Sequence, residues 1–253
     1  MEGIFTSRAR ISLIAMLGFG LAFASAGVAM LSPIGYRLGW WDIHMALLVL
    51  LKCAAIGGLA AFAVSPVAML LTRPRSGKRG FALAVLGLAI GAAVAGPVTW
   101  QGAKARRLPL IHDITTDTVA PPGFVALAEV RKAAPNGADY AGEAVAHQQA
   151  QAYPEIAPHE STLPPAQLFA RAEQLANDSG WMIAETVPAE GRIEATATSL
   201  LFGFKDDVVI RIAPTARGSR LDMRSASRVG RSDVGVNAAR IGKFLARLTA
   251  TGA

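Results

Sequence analysis

With 253 residues, a mean hydropathy of +0.37, 52% hydrophobic residues and only 17% charged ones, the chain is too apolar to be wholly soluble. Its net charge of +7 suggests an anionic partner. However, eight basic residues against two acidic ones in the first hundred positions supply +6 of that charge, so the basicity is a membrane-topology signal and not a nucleic-acid footprint. Cys53 is the single cysteine, which excludes an intramolecular disulfide and a cysteine-built metal site.

An apolar run over residues 11–31 follows Arg8 and Arg10 and is long enough to cross a hydrocarbon core of about 30 Å. Ala22, Ala24 and Ala26 resemble the small residues of a signal-peptide cleavage site. The run continues past them, and an uncleaved anchor is expected. The connection that follows carries Pro33, Gly35, Arg37 and the Trp40–Trp41 pair, which suits a membrane–water interface. A second run covers 45–71, with Lys52 close enough to one end to reach the interface. After the basic loop 72–80 comes a third run, 81–100. There Gly87, Gly91 and Ala95 recur every four residues, the spacing of close helix packing within a three-helix bundle.

The loop charges set a topology. Arg8, Arg10, Arg73, Arg75, Lys78 and Arg79 fall on one side, and Arg37, Lys104, Arg106 and Arg107 on the other. The positive-inside rule places the first set in the cytoplasm. The chain is therefore expected to be a multi-pass inner-membrane protein with a transmembrane region over 1–107. A periplasmic domain is expected over 108–253, and the lipid bilayer is its first partner.

From Leu108 the sequence is that of an ordinary globular domain. LPLIHDITTD reads as extended, and FVALAEVRK after Pro121-Pro122-Gly123 as a short element. Residues 133–165 are rich in proline and read as a long loop with a short helix near 143–151. PPAQLFARAEQLANDSG is a helix, with Leu168, Ala172, Leu175 and Ala176 on one face and Gly180 as its stop. WMIAETVP, RIEATATSL, DDVVIRIAP and SRLDMRSASR alternate as four strands, the last two joined by a turn at Ala216-Arg217-Gly218. GVNAARIGKFLARL ends the domain as an amphipathic helix. The expected fold is α+β: a four-stranded antiparallel sheet with both helices on one face and the other face polar and open.

Polar chemistry concentrates between Lys205 and Asn237. Arg224, Arg228, Arg231, Ser232 and Asp233 lead into the last helix, where free N–H groups and the positive end of the helix dipole make an anion site chemically reasonable. The bland reading of the same residues is an N-cap at Ser232 or Asp233 with the arginines paired to nearby acids. Glu194, Arg211, Asp222 and Arg224 read as cross-strand charge pairs. Asp206 and Asp207 are adjacent on a strand, so they point to opposite faces and cannot act as a dyad. The four histidines lack metal-ligand spacing, and no nucleophile or phosphate-loop motif is present. No catalytic residue, metal or cofactor is assigned.

The blocks IHDITTD (111–117), AYPEIAP (152–158), RIEATATSLLFGFKDDVVIRI (192–212) and RSASRVGRSDVGVNAARI (224–241) resemble the bacterial family built on domain of unknown function 1499. The resemblance covers about Leu110 to Leu248 and extends to membrane spans placed ahead of the domain. It implies a compact membrane-attached domain and gives no catalytic residue to carry over. Shorter relatives open with a cysteine-containing segment, a feature this chain lacks. The residues and the resemblance together lead to a domain that binds an anionic envelope component, a lipid head group or polymer, or a partner protein. An assembly module of a membrane complex is the alternative, and an envelope hydrolase the third reading.

Overall fold

The structure is a computed structural model that describes residues 10–74 and 76–250. Arg8 and Arg75, counted in the charge bias, lie outside the described residues. The chain divides into two compact units, one ending at Lys104 and one starting at Ala105.

The first unit holds three helices: α1 (Leu13–Arg37), α2 (Met45–Leu71, opening with a wide π-type turn over Met45–Leu50) and α3 (Phe81–Ala105). All three are long and apolar enough to cross a membrane, with mean hydropathies of 2.0, 2.3 and 2.2. α1 runs six residues beyond the expected apolar stretch and carries Pro33 inside it. Its last turn is closed by Trp41, whose indole N–H donates to the Ser32 carbonyl at 2.9 Å. A Cβ at Gly35 would fall 2.1 Å from that indole ring, so only glycine lets the ring lie against the helix. The small-residue stripe of α3 packs inside the bundle. A Cβ at Gly91 would meet the Gly58 carbonyl at 2.7 Å, and one at Gly87 the Ser65 hydroxyl at 2.7 Å and the Gly18 backbone at 3.1 Å.

The second unit is an antiparallel sheet with helices, and it is mixed α+β as expected, with two corrections. The sheet has six strands, not four. β3 (Met182–Val187), β4 (Arg192–Thr198), β5 (Lys205–Thr215) and β6 (Gly218–Ser227) are the expected meander. β1 (Asp113–Thr115) and β2 (His159–Ser161) both pair with the free edge of β6, in the order β1-β6-β5-β4-β3 with β2 further along β6. Each added strand is three residues long, too short to show an alternating pattern.

The apolar face is built as the alternation requires. Ile193, Val208, Ile210, Ile212, Leu221 and Met223 form one core with Leu168, Phe169, Ala172 and Leu175 of α6 (Pro165–Asp178). The same core takes in Ala238, Ile241, Phe244 and Leu248 of α7 (Val236–Ala250).

The second correction concerns the opposite face, which is not open. Residues 118–142 lie across it, including α4 (Ala128–Lys132), and Phe124 and Leu127 pack on Val209 and Ala226. Glu194, Thr196, Asp207, Asp222 and Arg224 are all buried beneath this cover or against their neighbours. α5 (Glu143–Ala152) then closes the outer edge of β1. There the Gln149 side-chain amide accepts from the Thr115 N–H at 3.0 Å and donates to the Thr115 carbonyl at 2.6 Å, as a further strand would.

Candidate functional site

β-Strand alternation places Asp207 and Asp206 on opposite faces, and each meets its own arginines. Asp207 is fully buried on the covered face. Arg228 grips it with two parallel hydrogen bonds, Nε at 2.9 Å and a terminal nitrogen at 2.8 Å. Arg131 of α4 adds a third at 3.0 Å, and the Thr196 hydroxyl a fourth at 2.7 Å. Burial alone pushes the Asp207 carboxyl up, but the hydrogen bonds from Arg228 and Thr196 and the charges of Arg228 and Arg131 outweigh it. The carboxyl is held below its ordinary range. Asp206, on the helix face, accepts from Arg240 of α7 at 2.6 Å. Arg240 also donates to the Asn237 side-chain oxygen and to Ser225, inside a buried cluster with Ser227.

The other charges of the covered face are matched in the same way. Arg224 donates to both oxygens of Asp113 at 3.0 and 2.7 Å and to the carbonyls of Pro122 and Ala138. Arg224 and Arg131 both stand over the Phe124 ring, at 4.9 and 4.5 Å from its centroid. Nearby, burial raises the Tyr140 hydroxyl to about 12. Glu194 accepts the successive backbone N–H groups of Val125, Ala126 and Leu127 at 2.9–3.1 Å and pairs with Arg192. Arg192 in turn contacts Glu185 and Glu190. At the far side, Arg211 and Arg220 share Asp222 and Asp117 at 2.9–3.1 Å. Burial pushes Asp117 up, but the N–H groups of Ala120 and Val119 and the two arginines hold it below the usual carboxylate range.

The expected site residues therefore separate. Arg224 and Arg228 lie on the covered face, and each is already bound to a carboxylate of the same domain. Asp233 lies three residues ahead of the first residue of α7 and caps its start through the side chain, accepting from the N–H groups of Gly235 and Asn237 at 2.8 Å each. Burial nonetheless raises its carboxyl. Ser232 donates to the Pro109 carbonyl at 3.3 Å and accepts from the Val234 N–H. Arg231 points outward and is exposed. Arg131, Asp113 and Phe124 complete the cluster, and sequence reading missed all three. Arg131 and Asp113 meet their partners Asp207 and Arg224 across 76 and 111 positions of the chain, and no local spacing connects them.

Among the described residues, two shallow grooves mark the surface of the domain. One of about 140 Å³ is lined by Pro122, Gly123, Glu190, Arg192, Val209 and Arg211. Another of about 220 Å³ lies between β2, α6 and the end of α7, near His159, Arg171 and Thr249. Among the described residues, no cluster of three metal-ligating side chains is present.

Set against known proteins, residues 113–248 match the sequence model of one family, described as "Protein of unknown function (DUF1499)". No curated protein matches the chain.

Proposed function

The chain belongs to the DUF1499 family, described only as proteins of unknown function, and on that footing we propose that it is a membrane-anchored interaction module. In this reading the α+β domain is held at the extracytoplasmic face of the inner membrane and assembles with other envelope components. One observation carries it. The arginines of the covered face are matched by Asp113, Asp117, Asp207, Asp222 and Glu194 of the same domain. A surface evolved to take an anion keeps donors turned outward. Here the donors of Arg224 and Arg131 hold a cover segment to a sheet, which makes a rigid platform.

The orientation rests on the positive-inside bias. Arg10, Arg73, Lys78 and Arg79, with Arg8 and Arg75, face the cytoplasm, against Arg37, Lys104, Arg106 and Arg107 outside. An alkaline phosphatase fused after Ala253 should be active, and an inactive fusion that is well expressed would reverse the orientation.

The assembly reading is tested by in vivo crosslinking from exposed positions of the domain in the full chain. A reproducible crosslink to one membrane or envelope protein is the expected result. The second reading, binding of an anionic lipid head group or envelope polymer at the bend, is favoured by the exposed guanidinium of Arg231 next to the start of α7. Loss of binding to anionic liposomes in Arg228→Ala/Arg231→Ala, with the fold intact, would establish that reading in place of the first.

A further inference from the structure

The loop between β4 and β5, residues 199–204, presents Leu200 and Leu201 to the outside, 87% and 67% exposed. Behind them the rings of Phe202 and Phe204 stack at 5.1 Å between centroids. The loop is built to hold that shape. The Ser199 N–H donates to the Phe204 carbonyl at 2.9 Å, the Phe204 N–H donates to the Ser199 hydroxyl, and Gly203 turns the chain at φ +69°. Two adjacent leucines on a rigid, protruding tip are a poor surface for water and a good one for an apolar partner.

The strand register says at which end of the sheet the loop lies. Thr198 pairs with Lys205 at the base of the loop, and the next row holds Ala197, Asp206 and Ser227 side by side. The Ser227 N–H donates to the His112 carbonyl at 2.9 Å, so the segment leading into β1 joins the sheet in that same row. That segment is the continuation of α3, which ends at Ala105, and the seven residue steps from Ala105 to His112 reach at most about 25 Å when extended. The end of the sheet that carries the leucines is thus the end at which the chain arrives from its last membrane span. The opposite end carries the polar β5–β6 turn at Ala216-Arg217.

Cations flank the tip. Lys205 is exposed at its base, and the Lys205 carbonyl accepts the N–H of Arg228, which opens the bend bearing the exposed Arg231. We propose that the 199–204 loop dips into the interface of the bilayer that its own chain spans. Leu200 and Leu201 enter the acyl region, and Lys205 and Arg231 lie at the level of anionic phospholipid head groups. This docking goes beyond the assembly reading and does not depend on it.

The test uses the full chain in proteoliposomes of phosphatidylethanolamine and phosphatidylglycerol. In a Cys53→Ser background, Leu200→Cys and, separately, Arg217→Cys are spin-labelled, and collision with oxygen is compared with collision with a water-soluble nickel chelate. The expected result is a Leu200 label several-fold more accessible to oxygen than to nickel, with the reverse at Arg217. If Leu200→Cys does not reconstitute, Leu201→Cys serves with the same expectation. A label at the tip as open to nickel as the one at Arg217 overturns the proposal. A tip label shielded from both reagents also overturns it and identifies a protein contact instead.

Discussion

Arg131 of the short helix α4 donates to Asp207 of the central strand β5 at 3.0 Å, and both side chains are essentially inaccessible, at 1% and 0%. Desolvation acts against the arginine charge and lowers its affinity for protons, and Asp207 restores part of it. Such a pair fixes which loop lies on which strand, because Arg131 away from Asp207 would be a buried, uncompensated charge.

Arg131→Met should therefore destabilise the protein by about 3 kcal/mol, the usual consequence of breaking one side of a buried pair. Arg228 remains on Asp207 and keeps the loss at the lower end of that range. Thermal unfolding of the detergent-solubilised chain measures it. Lys132→Met, one position along, removes an exposed pair with Glu129 and should be nearly neutral.

The carboxylates predict the acid limb of stability. Asp207 and Asp117 have folded values below the roughly 3.9 of an unfolded aspartate. Their contribution is fully present above that value and disappears as the pH falls through the folded values. Asp207→Asn should destabilise at neutral pH and flatten the stability loss below about pH 4. An unchanged acid limb would show that Asp207 is not among the groups responsible.

Asp233 has the opposite sign. Burial raises its carboxyl, so its contribution is present below the unfolded value and lost as pH rises through the folded one. Gly235 and Asn237 bond different oxygens of Asp233, so an amide there keeps one cap bond and removes the charge. Asp233→Asn should therefore cost less than Asp233→Ala, which loses both bonds and should cost about 1 kcal/mol. Denaturant unfolding of the two variants at pH 5 and pH 7 separates them.

Gln149 guards the open edge of β1 by bonding both backbone groups of Thr115. Gln149→Glu retains the shape and loses the donor, leaving the Thr115 carbonyl opposite a buried carboxylate. It should destabilise by about 2 kcal/mol, with Gln149→Ala in the same range. Amide hydrogen exchange at Thr115 should accelerate in both.

Much of the domain was legible in the sequence because one-sided strands and helices announce themselves. Ile193, Val208, Ile210 and Met223 alternate, and the Asp206-Asp207 pair splits to opposite faces as that period requires. What escaped was whatever depends on long-range pairing. β1 and β2 are too short to carry a period, and the cover segment is a proline-rich stretch whose Phe124 and Arg131 gain meaning only against strands far along the chain. The arginines of the candidate site were visible as arginines. Their carboxylate partners were not, because Asp113 meets Arg224 across 111 positions.

Arg131, Arg224 and Arg228 are committed to carboxylates within the domain, while Arg231 is exposed. Reaction of the native full-length protein with an arginine-selective dicarbonyl, followed residue by residue by mass spectrometry, tests it most directly. Arg231 should be modified quickly, and Arg131, Arg224 and Arg228 only at the rate of unfolding. Modification of Arg224 and Arg228 as fast as Arg231 in the folded protein would contradict the account and restore the bend as an open anion site.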